Sequence, residues 1–294
     1  MPPKSCSFNC VYCQLGRTRR TRIERVSFCS KERVFEEIAR QVQSSEPDFI
    51  TFAGDGEPTL SRDLGWLADH CRRRWPSHVA VITNSSLLFR DDVREELAAA
   101  DVVLASLDVG CEATFRALNR PHPDLSFANI REGLMRFAEE YSGKLWLETM
   151  LVADANDSHL ELTKIRDILK LIGPDRTYVT VPIRPPAESW VTVPPADVIL
   201  RAQRILGDAE PVADREAGGF GLSQFSSARQ AIVEIGSRHP LRRDQAESIA
   251  AFFSSPGTVA NMLQARELID VHFGDTEYVL PSYFNRDPEV GLPT

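Results

Sequence analysis

The sequence predicts an α/β protein, either an α/β barrel or an open sheet, followed by a small winged-helix-like module. Short apolar stretches alternate with amphipathic helical stretches over roughly the first two thirds of the chain, which is typical of βα units. Helical stretches and a β-hairpin follow in the last third. Polar residues directly after several strand-like stretches suggest a site at the strand ends.

Composition restricts the class of protein. The chain has 294 residues, of which 43% are hydrophobic and 26% charged, as is usual for a globular protein. No apolar run approaches the ~18 residues that span a bilayer, and the N-terminus has no apolar signal segment. We therefore expect a cytoplasmic protein with no membrane partner. The net charge of −8 argues against a polycation that coats nucleic acid.

The predicted elements follow from hydrophobic periodicity. Five stretches are predicted as buried parallel strands, at residues 49–54, 79–84, 102–108, 144–152 and 177–185. Five others are predicted as helices, at residues 31–44, 64–75, 91–100, 127–141 and 159–172.

After a glycine-containing stretch at 216–227, the alternation of strand-like and helical stretches ends. We predict a core over 1–210, a linker over 211–227 and a C-terminal module over 228–294. Within the module, 239–253 is predicted as a helix and 255–269 as one or two helices. Residues 271–284 are predicted as a hairpin that turns at Gly274–Asp275.

Three cysteines stand together near the N-terminus. Cys6, Cys10 and Cys13 have C-x3-C-x2-C spacing, whereas the other three cysteines are far apart and are predicted to be small buried side chains. Three thiolates can each bind a different iron of one 4Fe–4S cube, which leaves the fourth iron open for a ligand. The alternatives are a zinc knuckle and half of a ferredoxin-type site.

Candidate site residues follow the strands. Gly56 and Glu57 come after the first, where a simple turn would not need the glutamate. Asn84 and Ser85 follow the second, and they could bind a ligand or cap the next helix. The third strand ends at Ser106 and Asp108, and Asp108 could also be a helix cap.

Three charged residues are candidates for substrate binding. Glu148 lies inside an apolar strand, where a carboxylate is costly unless it is paired or faces an opening. Arg120 and Arg184 could clamp a carboxylate or phosphate, and surface salt bridges are an equally good explanation for both.

The ordered motifs CSFNCVYCQLGRT, GDGEPTL, TNSSLL, SLDVG, LNRPHP, LETMLV and VPIRPP resemble the radical S-adenosylmethionine (radical SAM) superfamily. The resemblance implies a 4Fe–4S cluster on Cys6, Cys10 and Cys13, and S-adenosylmethionine as the second cofactor. It also implies that the backbone of Tyr12 lies near the adenine. Glu57 with Gly56 would contact the methionine amino group, and the polar residues after the next two strands would contact the ribose or carboxylate.

Within the superfamily, the chain resembles Fe–S oxidoreductases related to the tRNA wyosine-forming (4-demethylwyosine) synthases. The resemblance covers roughly residues 4–208 and implies a partial (β/α)6 TIM-like barrel. Only five residues precede Cys6, too few for the strand that comes before the cluster loop in the family. We therefore expect the first strand to be missing, through a mis-assigned start or a truncated chain.

The resemblance predicts reductive cleavage of S-adenosylmethionine to a 5′-deoxyadenosyl radical, with electrons from a flavodoxin or ferredoxin. The substrate stays open; tRNA is one candidate. Five arginines between 17 and 25 could bind RNA, although a solvated loop partly balanced by Glu24 is the preferred explanation. The alternative function is a metal- or redox-sensing regulator that binds nucleic acid through the C-terminal module.

Overall fold

The computed structural model describes residues 4–211 and 220–284. The chain divides into two compact units. The first contains residues 4–9, 20–181 and 194–211, and the second contains 10–19, 182–193 and 220–284. Residues 212–219 of the predicted linker and 285–294 of the predicted module lie outside the described residues. Within the described ranges, no helix has both the length and the apolar character needed to cross a membrane.

The first unit contains a six-stranded parallel sheet whose strands are ordered as they occur along the chain. These strands are β1 (Phe49–Phe52), β2 (His78–Thr83), β3 (Val102–Ser106), β4 (Lys144–Met150), β5 (Arg176–Thr180) and β6 (Glu210–Pro211). The α/β prediction is confirmed, and all five predicted strands are present. β6 has only two residues and forms by pairing with β5, so it left no apolar run in the sequence.

Among the described residues, one helix precedes the sheet and six others connect its strands: α1 (Lys31–Ser45), then α2 (Leu64–Arg74), α3 (Asp91–Leu97), α4 (Glu112–Leu118), α5 (Phe127–Glu140), α6 (His159–Ile172) and α7 (Ala196–Ile205). The five predicted helices are present, while α4 and α7 were not predicted. α4 is two turns long, and α7 begins directly after the proline-rich stretch 185–195.

The two faces of the sheet differ. One face is fully buried, with Val81, Val103 and Leu147 at 0% exposure, because helices such as α2 and α7 pack on it. On the opposite face, Ile82, Leu104 and Trp146 are neighbours in register and are partly exposed, Ile82 by 37%. We call this the open face. The carboxyl ends of the strands form one edge of the sheet, and Gly56, Asn84 and Ser106 lie at this edge.

The second unit contains a small α/β fold in its C-terminal part. Its elements are α8 (Ala228–Gly236), β7 (Leu241–Arg242), α9 (Arg243–Phe252), α10 (Thr258–Gln264), β8 (Leu268–Phe273) and β9 (Thr276–Pro281). The strands form an antiparallel sheet in the order β7-β9-β8. The predicted hairpin turn at Gly274–Asp275 is present. The predicted helix over 239–253 begins only at Arg243, because Leu241 and Arg242 pair with β9.

Candidate cofactor site

The loop after β1 packs directly against the start of the chain. Ser5 and Gly56 form a parallel bridge, in which Ser5 N donates to Asp55 O at 3.1 Å and Glu57 N donates to Ser5 O at 2.9 Å. Gly56 has φ +143°, and a Cβ atom at this position would lie 1.8 Å from Ser5 O. Only glycine therefore allows this approach, which places Cys6 next to the loop.

The carboxylate of Glu57 is buried and accepts four hydrogen bonds. Its Oε1 accepts from Thr59 N at 3.0 Å, Thr59 Oγ1 at 2.6 Å and Thr83 Oγ1 at 2.6 Å, and its Oε2 accepts from Asn84 N at 2.7 Å. Burial raises the pKa of Glu57, whereas hydrogen bonds from Thr59, Thr83 and Asn84 act in the opposite direction. The carboxylate thus joins the loop after β1 to the end of β2.

Asn84 connects that network to the first cysteine of the motif. Its Nδ2 lies 3.5 Å from Cys6 Sγ and 3.0 Å from Ser7 Oγ, while its Oδ1 accepts from Ser86 N at 3.0 Å. Phe8 N is also 3.5 Å from Cys6 Sγ. Cys6 is buried, so its sulfur is surrounded by protein donors more than by water.

Ser85 is buried and has a left-handed backbone with φ +68°, which is uncommon for a residue other than glycine. Its Oγ donates to Ser106 O at 2.7 Å, so the ends of β2 and β3 are tied together. Arg90 is the N-cap of α3, so the helix-cap explanation of Asn84 and Ser85 is wrong.

Asp108 is buried in the loop after β3. Its Oδ2 accepts from Asn119 Nδ2 at 2.9 Å, and its Oδ1 accepts from Met150 N at 3.0 Å. The helix-cap explanation of Asp108 is also wrong, because Cys111 is the N-cap of α4. Asp108 instead links the strand ends of β3 and β4.

The segment that carries Arg120 pairs with the beginning of the cysteine motif. Asn9 N donates to Asn119 O at 3.0 Å, and His122 N donates to Ser7 O at 2.8 Å. Arg120 itself has a left-handed backbone, with φ +43°. This segment therefore holds the residues that follow Cys6, whereas the loop with Gly56 holds Ser5, which precedes it.

Glu148 lies on the open face of β4, in register with Ser106 on β3 and Tyr178 on β5. Its side chain is partly buried, and burial together with the Asp108 carboxylate raises its pKa to about 7. No described residue gives its carboxylate a hydrogen bond or ion pair. Of the predicted site residues, Ser106 and Glu148 are the ones on this face.

In the second unit, Cys10 and Cys13 lie in a tight turn, in which Cys13 N donates to Cys10 O at 3.2 Å; Tyr12 between them is half-buried. Arg17 forms a two-point ion pair with the buried Glu188, at 2.9 and 2.8 Å. Arg184 bonds to Gln14 Oε1 at 2.8 Å and lies 3.0 Å from His239 Nε2. Its guanidinium therefore connects three separate segments of this unit.

Arg25, counted above with the basic run, is a buried structural residue. Its Nε donates to Thr59 O at 2.8 Å, and its Nη2 donates to Ser61 O at 2.8 Å. The same guanidinium bonds to Asp92 and Glu96 of α3. Arg25 is therefore unavailable to RNA, while Arg19 and Arg20 are exposed.

Several residues of this network were missed from the sequence, namely Ser7, Thr83, Asn119, Asn156 and Glu188. Asn156, for example, donates to Asp108 O and Met150 O at 2.8 Å each. Hydroxyl and amide residues are frequent in loops, so nothing but their position after strand ends could have indicated them.

All six cysteines lie in the described residues, and none forms a disulfide. Of the three outside the motif, Cys71 is buried as predicted, whereas Cys111 is half-buried and the prediction is wrong for Cys29, which is exposed. No group of three or more His, Cys, Asp or Glu side chains in that part of the chain converges on one metal ion. A cube has a different requirement, because each thiolate binds a different iron. The two N–H groups that point at the buried Cys6 sulfur fit a thiolate, since a neutral thiol is a weak acceptor.

Comparison with known proteins agrees with this arrangement. The profile of the Radical SAM superfamily matches residues 2–164. A UPF0026 protein of Methanocaldococcus jannaschii is 31% identical over 303 residues, which cover 100% of this chain and 94% of that protein. The GTPase Obg of Brachyspira hyodysenteriae is 37% identical over 185 residues, covering 63% of this chain and 27% of that protein.

Among solved structures, Streptococcus suis SuiB is similar with a TM-score of 0.51 and 19% identity, covering 70% of this chain and 45% of that chain. This likeness supports the fold alone. Enzymes of the Radical SAM superfamily use a 4Fe–4S cluster and S-adenosylmethionine, so the predicted cofactors are confirmed as those of the family. With a profile match over more than half of the chain and a relative that is 31% identical along the whole of this chain, the protein belongs to the radical SAM superfamily.

Proposed function

We propose that this protein is a radical SAM enzyme in which Cys6, Cys10 and Cys13 hold the 4Fe–4S cluster. The observation that carries the proposal is the environment of Cys6, whose buried sulfur receives two N–H donors within a C-x3-C-x2-C motif. When bound, the cofactors supply one-electron reductive cleavage of the sulfonium, giving methionine and a 5′-deoxyadenosyl radical. The electron comes from a flavodoxin or ferredoxin.

The nucleotide is proposed to lie along the carboxyl ends of β1–β4. Glu57 and Asp108 shape this edge, because both carboxylates already bond to neighbouring loops. Ser106 and Glu148 are partly exposed on the open face, which supports direct contact with the nucleotide or the substrate. Gly56, Asn84 and Ser85 fix the loops that follow β1 and β2. The proposed position of Tyr12 near the adenine rests on the cysteine motif alone.

Anaerobic reconstitution with iron and sulfide tests the proposal. We expect the wild-type chain to bind four irons and, with a reductant, to form 5′-deoxyadenosine. Cys10→Ala should lose both properties. Cys29→Ala is the matched control, because Cys29 is exposed and outside the motif, and it should keep both. Cleavage that survives in Cys10→Ala would refute the proposal.

The C-terminal part of the second unit is proposed to be a winged-helix module. Its element order of helix, strand, helix, helix, strand, strand supports this assignment. α10, in the position of a recognition helix, has no basic residue, and Arg229 and Arg243 are ion-paired with acidic neighbours. Because few positive charges are available to bind phosphates, we favour a module that docks a macromolecule or acts as a lid. The alternative, a regulator that binds DNA through this module, is less well supported.

We also propose that β1–β5 correspond to the second to sixth strands of the family barrel.

The enzyme is further proposed to act in the reducing cytoplasm on a macromolecule such as tRNA. Within the basic run, Arg19 and Arg20 are the exposed arginines that could contact phosphates. If RNA binds, replacing both by alanine should reduce the salt dependence of binding by about two phosphate contacts. Absence of RNA binding at low salt would refute the tRNA assignment.

A further inference from the structure

The sulfur of Cys6 has an unusual set of neighbours for a buried cysteine. Phe8 N and Asn84 Nδ2 both lie 3.5 Å from it. Hydrogen bonds to a charged acceptor are stronger than those to a neutral one, so these donors stabilise a thiolate more than a thiol. One donor belongs to the backbone of the motif, and the other comes from a distant loop.

The orientation of the Asn84 amide is fixed by its own bonds. Its oxygen accepts from Ser86 N at 3.0 Å, so its nitrogen must point the other way. That nitrogen has two N–H groups. They face Cys6 Sγ and Ser7 Oγ, and neither is left over for a nucleotide.

The backbone of Asn84 is held equally firmly. Its N–H donates to Glu57 Oε2 at 2.7 Å, and Glu57 is 4% exposed. The other carboxylate oxygen is bound by Thr59 and Thr83, so the loop after β2 cannot shift without breaking a buried network. The side-chain donor is therefore in place before any ligand arrives.

Resting on the proposed function, we propose that Asn84 is a positioning residue that donates a hydrogen bond to the Cys6 thiolate and raises the reduction potential of the cluster held there. Reduction adds negative charge that spreads onto the thiolate sulfurs. A donor aimed at a sulfur stabilises the reduced form more than the oxidised form, which makes the cluster easier to reduce. This role differs from the direct contact with ribose or carboxylate that the resemblance implied.

A redox titration of the reconstituted protein, monitored by EPR, tests the proposal. Asn84→Leu keeps the size of the side chain and the backbone N–H but removes the amide, and we expect a more negative midpoint potential. We also expect it to release iron to a chelator about 10-fold faster. Ser86→Ala is the matched control, because Ser86 lies in the same loop as Asn84. The substitution removes a 2.6 Å contact with Ser7 Oγ and leaves both N–H donors to the Cys6 sulfur in place.

If Asn84→Leu does not fold, Asn84→Ala provides the same test, because it removes the N–H donors without adding a charge beside the sulfur. An unchanged potential and iron release, accompanied by weaker S-adenosylmethionine binding, would overturn the proposal and restore the nucleotide contact while leaving the proposed function intact. A wild-type chain that binds no 4Fe–4S cluster would overturn both.

Discussion

The backbone N–H of Asn84 donates to the carboxylate of Glu57 across 2.7 Å, so a side chain after β1 fixes the residue that follows β2. In Glu57→Gln an amide NH2 must replace one acceptor oxygen, and a donor then faces a donor. We expect a loss of about 2 kcal/mol in the free energy of unfolding, because buried donors are left unsatisfied.

Thermal denaturation of the cluster-free protein measures this loss. Glu95→Gln is the control, since Glu95 is an exposed residue of α3 and its substitution should leave the melting temperature nearly unchanged. Equal melting temperatures for the two variants would show that the buried network contributes little.

Gly56 is expected to tolerate no side chain. In Gly56→Ala the new methyl group would collide with Ser5 O, so either the Ser5–Gly56 bridge or the loop must move. We expect a destabilisation of about 3 kcal/mol or more. Gly54→Ala is the control, because no atom lies within 4 Å of a Cβ built at that position. If thermal melts show the same stability for both variants, the proposed close approach is wrong.

Arg25 is expected to be a stability residue and not an RNA contact. Arg25→Met removes the guanidinium partner of Glu96 and of the backbone carbonyls of Thr59 and Ser61, whereas Asp92 keeps its ion pair with Arg90. Because the two carbonyls lose a buried donor while the carboxylates are partly exposed to water, we expect a loss of about 1–3 kcal/mol in the free energy of unfolding. Arg20→Met should stay within about 0.5 kcal/mol, because Arg20 is exposed. The measurement is urea unfolding of both variants. A loss of stability in Arg25→Met no larger than that in Arg20→Met would contradict the structural role of Arg25.

Glu148 should make stability depend on pH. Its folded pKa of about 7 lies above the ordinary value of 4.5, so the folded protein binds the proton more tightly than the unfolded chain. The contribution to stability is complete below pH 4.5 and is lost as the pH rises through about 7. Partial exposure reduces the effect to about 1–2 kcal/mol.

Glu148→Gln removes this dependence. We therefore expect the variant to gain stability relative to wild type when denaturant melts at pH 8 are compared with melts at pH 5. A constant difference between the two proteins across this range would mean that the Glu148 carboxyl titrates in the folded chain as it does in the unfolded one.

The strands of the sheet could be predicted because one face is buried and the open face also carries apolar side chains, so that a strand such as β2 is a continuous apolar run. β6 could not, since two residues that pair with β5 have no pattern of their own. α4 and α7 were hidden by short length and by neighbouring prolines.

The site was predictable in one respect. The order of strands and loops placed Gly56, Asn84 and Ser106 at one edge of the sheet. The direction of each side chain was not predictable, because it depends on tertiary partners. Glu57 illustrates this limit: its position after β1 was evident, whereas its burial under Thr59 and Thr83 follows from contacts that no local pattern encodes.

Apolar side chains on the open face of the sheet are partly exposed to solvent; that of Ile82, for example, is 37% exposed. Any molecule that binds only the folded chain and covers this surface adds to its stability by mass action. The survival of the enzyme against proteolysis should thus follow the supply of the molecules that fill this face, so that starvation for a ligand depletes the protein as well as its activity.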